Sequence, residues 1–276
     1  MNDVRSRAER ALPRLNERLK QLCTVADRVT YRVKFAQTDH FLFMGLIFLG
    51  KQIEHAQAIE LLGNHPDSEL VARSMLEGMW QLKWASLDPE ARPLRWRTYS
   101  IVLDWRELCD RDAAGIPVDD TTRVEIAQGI SEHGGKFMTP RAIAARTDGA
   151  MLPADPYVGN WSGKQMRQIA EEIGDHALYK TPYSDFSERH HWDPAGLARG
   201  IQVKDGTIGY NAISPVSRAG ALAVAFQCLY ESACVVDTAL GGTRRAELDA
   251  MISLYLEDAR TLGIDVDRRP PAPDAV

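Results

Sequence analysis

Two stretches of this sequence place ionisable side chains at spacings that a helix would gather into a site. In the first, Arg73, Glu77, Trp80 and Trp84 follow one another at steps of four, three and four residues, which puts all of them on one helix face. A charged pair in line with two large aromatic rings must be partnered or face a polar cavity. The spacing therefore indicates either a pair that lines a pocket or a buried ion pair that fixes how the helices pack.

The second stretch is residues 179–193, where Ser187 and His191 are four apart and Tyr183 lies one further turn back. The three side chains would be neighbours on a helix, and histidine titrates near neutral pH. On the functional interpretation, His191 is a general acid or base oriented by Glu77 or Ser187, while Arg73 holds a phosphate or carboxylate group. The alternative is that His191 hydrogen-bonds a neighbouring helix and has no chemical role.

Metal and nucleotide motifs are weak in this sequence. Glu188 and His191 form a single ExxH, whereas a di-iron bundle needs two such motifs and two further glutamates. The four cysteines are scattered and include no CxxC pair, so a zinc site is not expected. Residues 159–165, GNWSGKQ, are one residue short of the phosphate-loop spacing. We therefore predict no metal site, and no motif names a cofactor.

Helical periodicity runs through most of the chain and supplies the elements that must position these residues. The predicted helices are 5–28, 40–62, one capped by Asp67, 88–114, one capped by Asp120, one that starts at Thr139, 162–174 with a capping box at Ser162 and Gln165, 176–190, 216–240 and 244–262. An Asp-Gly turn between two short strand-like runs predicts a β-hairpin at 200–211. The fold class predicted is all-α, an antiparallel helical bundle with this one small hairpin.

The domain organisation follows from the loops. Residues 147–160 are rich in Gly, Pro and Asp, which makes them a surface loop and the best candidate for a hinge or lid. That loop is too short to be a domain linker, so we predict a single domain over residues 1–264. The end of the chain, 265–276, contains RRPPAPDAV and is predicted to be disordered or extended.

The net charge and the hydropathy of the chain limit the classes of partner that we expect. The chain of 276 residues has 33 basic and 38 acidic residues, a net charge of −5, which disfavours binding to nucleic acid through a bulk basic field and a polybasic membrane anchor. The N-terminus lacks a secretory apolar stretch, and the longest apolar run, 41–50, is about half a membrane span. We expect a soluble, cytoplasmic protein that does not bind membranes.

The order of these motifs resembles an uncharacterised helical family, domain-of-unknown-function 5677. The family pattern is an R-x-x-x-E helix, a dP–R turn, a helix with Tyr, a Trp with a short helix, and Tyr-x-x-x-Ser-x-x-x-His. The matching residues, within roughly 65–240, are Arg73, Glu77, Asp88, Pro89, Arg92, Tyr99, Trp161, Tyr183, Ser187 and His191. The family often has Pro after the His, whereas this chain has Trp192 and then Pro194, which leaves His190 as an alternative to His191.

The resemblance implies an all-helical bundle in which Arg73, Glu77 and His191 converge, and it adds Tyr99 and Tyr183 to Arg73 as ligand-binding residues. It supplies sites but no reaction, so the sequence leaves open whether the protein is an enzyme. The first hypothesis is a polar pocket that binds or acts on a small anionic ligand, with His191, Glu77 and Ser187 as the catalytic residues.

The second hypothesis is an interaction, regulatory or toxin-like module of a stress or phage-defence system, in which the polar residues are structural. Helices 40–62 and 216–240 would then be the faces for a partner or a second copy of the chain. The family is also distantly similar to helical RNases of toxin and defence systems, which carry an Arg shortly before a His. None of the seven histidines here has an Arg five to seven positions before it, so RNA cleavage rests on fold analogy alone.

Overall fold

The computed structural model describes residues 2–63, 65–190, 201–204, 206–210 and 214–261. These residues form α-helices and one β-hairpin. The helices are α1 (Asn2–Thr30), α2 (His40–Leu62), α3 (Asp67–Ser86), α4 (Ala91–Thr98), α5 (Ser100–Ala113), α6 (Asp120–His133), α7 (Pro140–Thr147), α8 (Met166–Glu172), α9 (His176–Leu178), α10 (Ser184–His190), α11 (Pro215–Ala239) and α12 (Arg245–Thr261). A 3-10 turn, Gly134–Phe137, follows α6, and a π-helical turn, Tyr179–Tyr183, joins α9 to α10.

The predicted fold class is confirmed: the protein is all-α, and the hairpin lies where the Asp-Gly turn placed it. Strand β1 (Ile201–Lys204) pairs antiparallel with β2 (Thr207–Tyr210), in a register that sets Ile201 opposite Tyr210. The predicted tail, 265–276, lies outside the described residues.

The chain divides into two compact units. The first contains α1–α3, α8–α12 and the hairpin, and the second, residues 88–165, contains α4–α7. The single domain predicted over 1–264 stays a prediction.

Helix α11 forms the centre of the first unit, where it packs against α1, α2 and α3. One apolar stripe of this helix, which contains Leu222, Phe226 and Val236, is buried throughout. Gly45 on α2 lets the two helices approach closely, because a Cβ there would lie 3.2 Å from Val236 Cγ2. Helix α2 also contributes buried residues to this core, so both helices proposed as partner faces are core helices, and a dimer stays a prediction.

Helix α11 is also the helix, in the described part of the chain, that is long and apolar enough to cross a membrane. More than half of its most apolar segment is buried against the other helices. A core helix of a soluble protein has these same properties, which makes this weak evidence for a membrane span.

The second unit corrects two sequence predictions. The helix predicted over 88–114 is broken at Tyr99, where the backbone N–H donates to the carbonyls of both Arg95 and Trp96. The N-cap of α6 is Asp119 rather than Asp120, because Asp119 has an extended backbone and its carboxylate accepts from Thr122 N at 2.8 Å.

Two further cap predictions are wrong. Asp67 is the first residue of α3, and the N-cap is Pro66, which makes no side-chain cap bond. The capping box at Ser162 does not form, since α8 begins only at Met166. Asn160 instead folds this segment into a turn: its Oδ1 accepts from Gly163 N at 2.8 Å and from the Ser162 hydroxyl at 2.8 Å. The Ser162 hydroxyl in turn accepts from Lys164 N at 3.1 Å, so it closes a turn within the loop.

The loop at 147–160 is tied down in its second half. Thr139 N donates to Pro156 O and Val158 N donates to Phe137 O, both at 2.8 Å. Arg106 adds an ion pair to Asp155 at 2.9 Å. For this loop to act as a lid, either the residues before Asp155 would move alone or these contacts would break. The role of the loop as a lid stays a prediction.

Candidate functional site

Helix α3 presents Arg73 and Glu77 on one face, as the spacing predicts. Arg73 Nη2 lies 3.1 Å from Glu77 Oε1, and the two side chains are 16% and 31% exposed. Trp80 and Trp84 continue the same stripe into the core, where both are buried. The ion pair therefore stands at the edge of the core, partly desolvated and partly open to solvent.

Tyr183 joins this pair from the π-helical turn. Its hydroxyl donates to Glu77 Oε1 at 2.8 Å and accepts from Arg73 Nη2 at 3.3 Å. The Arg73 guanidinium lies over the Tyr183 ring, 5.1 Å from its centroid. Pro182 lacks an N–H and sits inside the turn that carries Tyr183 towards α3. We call Arg73, Glu77 and Tyr183 the α3 cluster.

Aromatic rings shield one side of the α3 cluster. The Tyr183 ring stacks on Tyr179, with 5.0 Å between centroids, and tilts against Trp80 at 5.2 Å. Burial among these rings raises the pKa of Tyr183; the nearby Arg73 opposes that rise and Glu77 adds to it. The Tyr183 hydroxyl is therefore a stable hydrogen-bond donor to Glu77 rather than a source of protons.

Glu77 also lines an open groove between α2 and α3, with a volume of about 350 Å³. Part of the groove is apolar, formed by Ile47 and Phe48. Its polar lining comes from Lys51, Gln52 and His55 on α2 and from Ser74, Glu77 and Gln81 on α3. We call this the α2–α3 groove, and Glu77 is the residue that it shares with the α3 cluster.

The α2 side of the groove carries its basic groups. Lys51 Nζ donates to Glu54 Oε2 at 2.9 Å, and both side chains are well exposed. One turn later, burial lowers the pKa of His55 below 6.5, and the neighbouring Lys51 lowers it further while Glu54 opposes the shift. The neutral imidazole is therefore favoured at pH 7, and a nearby anion would favour the charged form.

Gln52 is the buried polar residue of the groove, with 3% of its surface exposed. Its Nε2 donates to the carbonyl oxygen of Met75 at 2.8 Å. Its Oε1 is buried and has no hydrogen-bond partner among the residues that the structure describes. No sequence motif marks Lys51, Gln52 and His55 as site residues, and the available signal is the polar interruption of the apolar α2 with a four-residue step from Lys51 to His55.

The remaining predicted site residues lie elsewhere. Ser187 is half-buried on α10, one turn after Tyr183, and within the described chain it makes no hydrogen bond to Arg73 or Glu77. His190 is the last residue of α10, whereas His191 lies outside the described residues. Tyr99 is buried in the second unit, where its hydroxyl donates to Val158 O at 2.7 Å and accepts from Arg106 Nη1 at 2.8 Å.

A second ionic cluster ties the far end of α3 to its neighbours. Lys83 Nζ lies 2.6 Å from Asp175 Oδ2, in the loop between α8 and α9, and 2.5 Å from Glu231 Oε2 on α11. Burial raises the pKa of Asp175, an effect that Lys83 opposes and Glu231 adds to. Within the described residues, no group of three or more His, Cys, Asp or Glu side chains could hold a metal ion.

Comparison with known proteins identifies the family. The family of unknown function DUF5677 matches residues 42–208, which is more than half of the chain and includes the groove and the α3 cluster. No curated protein and no solved structure matches the chain. The helical fold, the Arg73–Glu77 helix and this match agree, and the chain belongs to the DUF5677 family.

Proposed function

We propose that the α2–α3 groove binds a small anionic ligand. The observation that carries this proposal is the pair of basic groups on the α2 wall of the groove, Lys51 and His55. The Glu77 carboxylate on the α3 wall is paired with Arg73, which offsets its repulsion of an anion, and the hydrogen bond from Tyr183 holds it in place before a ligand arrives. A volume of about 350 Å³ lies within the range of small-molecule sites.

Lys51 and His55 are the residues that would hold the anionic group. They lie one turn apart on α2 and both line the groove. The ion pair of Lys51 with Glu54 is exposed, and such pairs contribute only about 0–1 kcal/mol, so an anion can replace Glu54 at little cost. A bound anion would also favour protonation of His55, which adds a second positive charge.

The anion-binding role predicted for Arg73 fits this geometry less well. Its side chain is only 16% exposed, and Nη2 already contacts both Glu77 and Tyr183. We therefore propose Arg73 as a positioning residue that holds Glu77 and Tyr183. We assign no reaction to the site, and the catalytic roles of His191, Glu77 and Ser187 stay predictions.

The alternative function is an interaction or regulatory module in which the α3 cluster is structural. The hydrogen bond from Tyr183 to Glu77 supports a structural contribution, because it connects α3 with the turn before α10. The two functions make different predictions for Lys51: ligand binding requires its side chain in the open groove, whereas a structural α3 cluster does not involve Lys51.

We also infer a cytoplasmic location, since more than half of the most apolar segment of α11 is buried against other helices.

Thermal denaturation with added ligands tests the proposal. The protein is heated with a panel of small carboxylates and phosphate esters, because a ligand that binds only the native state raises Tm, by the equivalent of about 2.7 kcal/mol at a hundred times its Kd. The variants are Lys51→Ala and Lys20→Ala. Lys20 is the matched control, since it also pairs with a glutamate, Glu60, at 2.9 Å but does not line the groove.

We expect at least one anion to raise Tm of the wild type and of Lys20→Ala, and to have little effect on Lys51→Ala. An equal rise in both variants would place the ligand outside the groove. No rise with any anion would contradict the proposal and favour the structural role.

A further inference from the structure

Gln52 leaves the α2–α3 groove with a hydrogen-bond acceptor that no described residue satisfies. Its amide orientation is determined, because the Met75 carbonyl oxygen can only accept and so must face the Nε2 side. The other end of the amide is therefore the oxygen, and Oε1 is buried without a partner. A buried acceptor with no donor destabilises a protein, and native structures rarely keep one without a reason.

Gly78 keeps the amide of Gln52 in this position. A Cβ at residue 78 would lie 2.9 Å from Gln52 Nε2, so the amide packs directly against the backbone of α3. Both Gly78 and Gln52 line the groove. With Nε2 bonded to the Met75 carbonyl oxygen, Oε1 has no partner among the described residues, and a donor that enters the groove would have to reach it past the groove surface.

We propose that the ligand of this groove is an amino-bearing carboxylate, a small zwitterion of the amino-acid type, whose ammonium group donates to Gln52 Oε1. This inference rests on the proposed anion site, where Lys51 and His55 take the carboxylate. An ammonium fits better than a hydroxyl because the groove has a second acceptor, Glu77. Both contacts of Glu77 end on Oε1, so within the described chain Oε2 is open to a further N–H donor.

The ligand class also fits the shape of the groove. Ile47 and Phe48 supply an apolar surface beside the polar groups, which suits the side chain of an apolar amino acid. A volume of about 350 Å³ admits a single amino acid of this kind. The groove therefore combines a site for a negative group, two acceptors for a positive group and an apolar contact.

The test uses pairs of acids that differ only in the amino group. The probes are L-phenylalanine with 3-phenylpropionate, L-leucine with 4-methylpentanoate, and L-glutamate with glutarate, titrated by ligand-observed NMR. The variants are Gln52→Leu and Gln57→Leu. Gln57 is an exposed residue of the same helix that does not line the groove, so it controls for the loss of an amide from α2.

We expect the amino acid of at least one pair to bind the wild type about tenfold more tightly than its deamino partner, as for one good hydrogen bond. Gln52→Leu should remove that difference, and Gln57→Leu should keep it. The wild-type comparison remains decisive if Gln52→Leu does not fold. Equal affinities within every pair, or a difference that persists in Gln52→Leu, would overturn this inference and leave the anion site standing. No binding by any probe would contradict both.

Discussion

The Tyr183 hydroxyl donates to Glu77 Oε1 across 2.8 Å, and this bond joins residues that are 106 positions apart in the chain. It connects the Arg73–Glu77 helix with the aromatic stretch that precedes Ser187. Because Glu77 also lines the α2–α3 groove, the same bond braces a carboxylate at the wall of the proposed binding site. The Arg73–Glu77 helix and the stretch 179–193, which the sequence marks as candidate site segments, therefore meet at Glu77 Oε1.

Removing the Tyr183 hydroxyl should destabilise the first unit. We expect Tyr183→Phe to lower the free energy of unfolding by roughly 1.5–3 kcal/mol, the range for hydrogen bonds to charged groups. The ring contacts and the direct Arg73–Glu77 pair remain in that variant. Urea denaturation measures the change, and Tyr31→Phe is the control because Tyr31 is largely exposed. Equal stability of the two variants would show that the hydroxyl contributes nothing.

The sequence predicts the local part of this site and not the tertiary part. The contact of Arg73 with Glu77 follows from a four-residue step on a helix, and the burial of Trp80 follows from the same stripe. The contact of Tyr183 depends on the π-helical turn, which no periodic pattern indicates. The sequence placed Ser187 beside Tyr183 on a helix, but α10 does not bring it into hydrogen-bond contact with Glu77 within the described chain.

The groove was missed for a related reason. The sequence shows Lys51 and His55 only as polar residues that follow the apolar run 41–50, and they match no site motif. Whether those residues line a groove depends on how α2 packs against α3 and on the space left by Gly78, and neither follows from the α2 sequence. The capping box predicted at Ser162 is wrong because the Ser162 hydroxyl donates to Asn160 Oδ1 and accepts from Lys164 N, which closes a turn within the loop instead of starting a helix.

Substitution of Gly78 should not give the stabilisation expected from substitution of Gly50. Alanine in a helix is about 1 kcal/mol more favourable than glycine, so Gly50→Ala, where the Cβ meets nothing within 4 Å, should stabilise the protein. At Gly78 the Cβ would clash with Gln52 Nε2 at 2.9 Å and displace its bond to Met75. We expect that clash to offset the gain and to weaken ligand binding, as measured by chemical denaturation and titration. A stabilised Gly78→Ala that binds normally would contradict the tight packing of Gln52.

Lys83→Met should be the most destabilising single change among the ionic residues of α3. It would leave Asp175 and Glu231 without their shared cation, at a cost of roughly 3 kcal/mol, near the low end of the range for breaking a buried pair since the side chains keep 16–23% exposure. Asp175→Asn leaves Lys83 paired with Glu231 and should cost clearly less. Denaturation midpoints compare the two variants, and a larger loss in Asp175→Asn would contradict this account.

His55 should make both stability and ligand binding depend on pH. Burial and Lys51 lower its pKa below 6.5 in the folded protein, so the unfolded state binds the proton more readily. The stability contributed by neutral His55 is therefore present above pH 6.5 and is lost as pH falls below that value. An anionic ligand favours the charged form, so its affinity should rise over the same fall in pH.

Denaturation and titration between pH 7.5 and pH 5 check this dependence in His55→Gln and in His65→Gln as the control. We expect His55→Gln to reduce both the loss of stability and the rise in ligand affinity as pH falls. His65→Gln should keep both effects, because His65 does not line the groove. A ligand affinity that falls with pH in the wild type would show that the anion lies away from His55.

The most direct test of the proposed site is the position of a bound ligand in a crystal soaked with the tightest acid found by thermal denaturation. We predict electron density in the α2–α3 groove, with the negative group within hydrogen-bond distance of Lys51 or His55. Occupancy in the groove should be lost in crystals of Lys51→Ala. Density at another surface, with the groove empty at saturating ligand, would contradict the account.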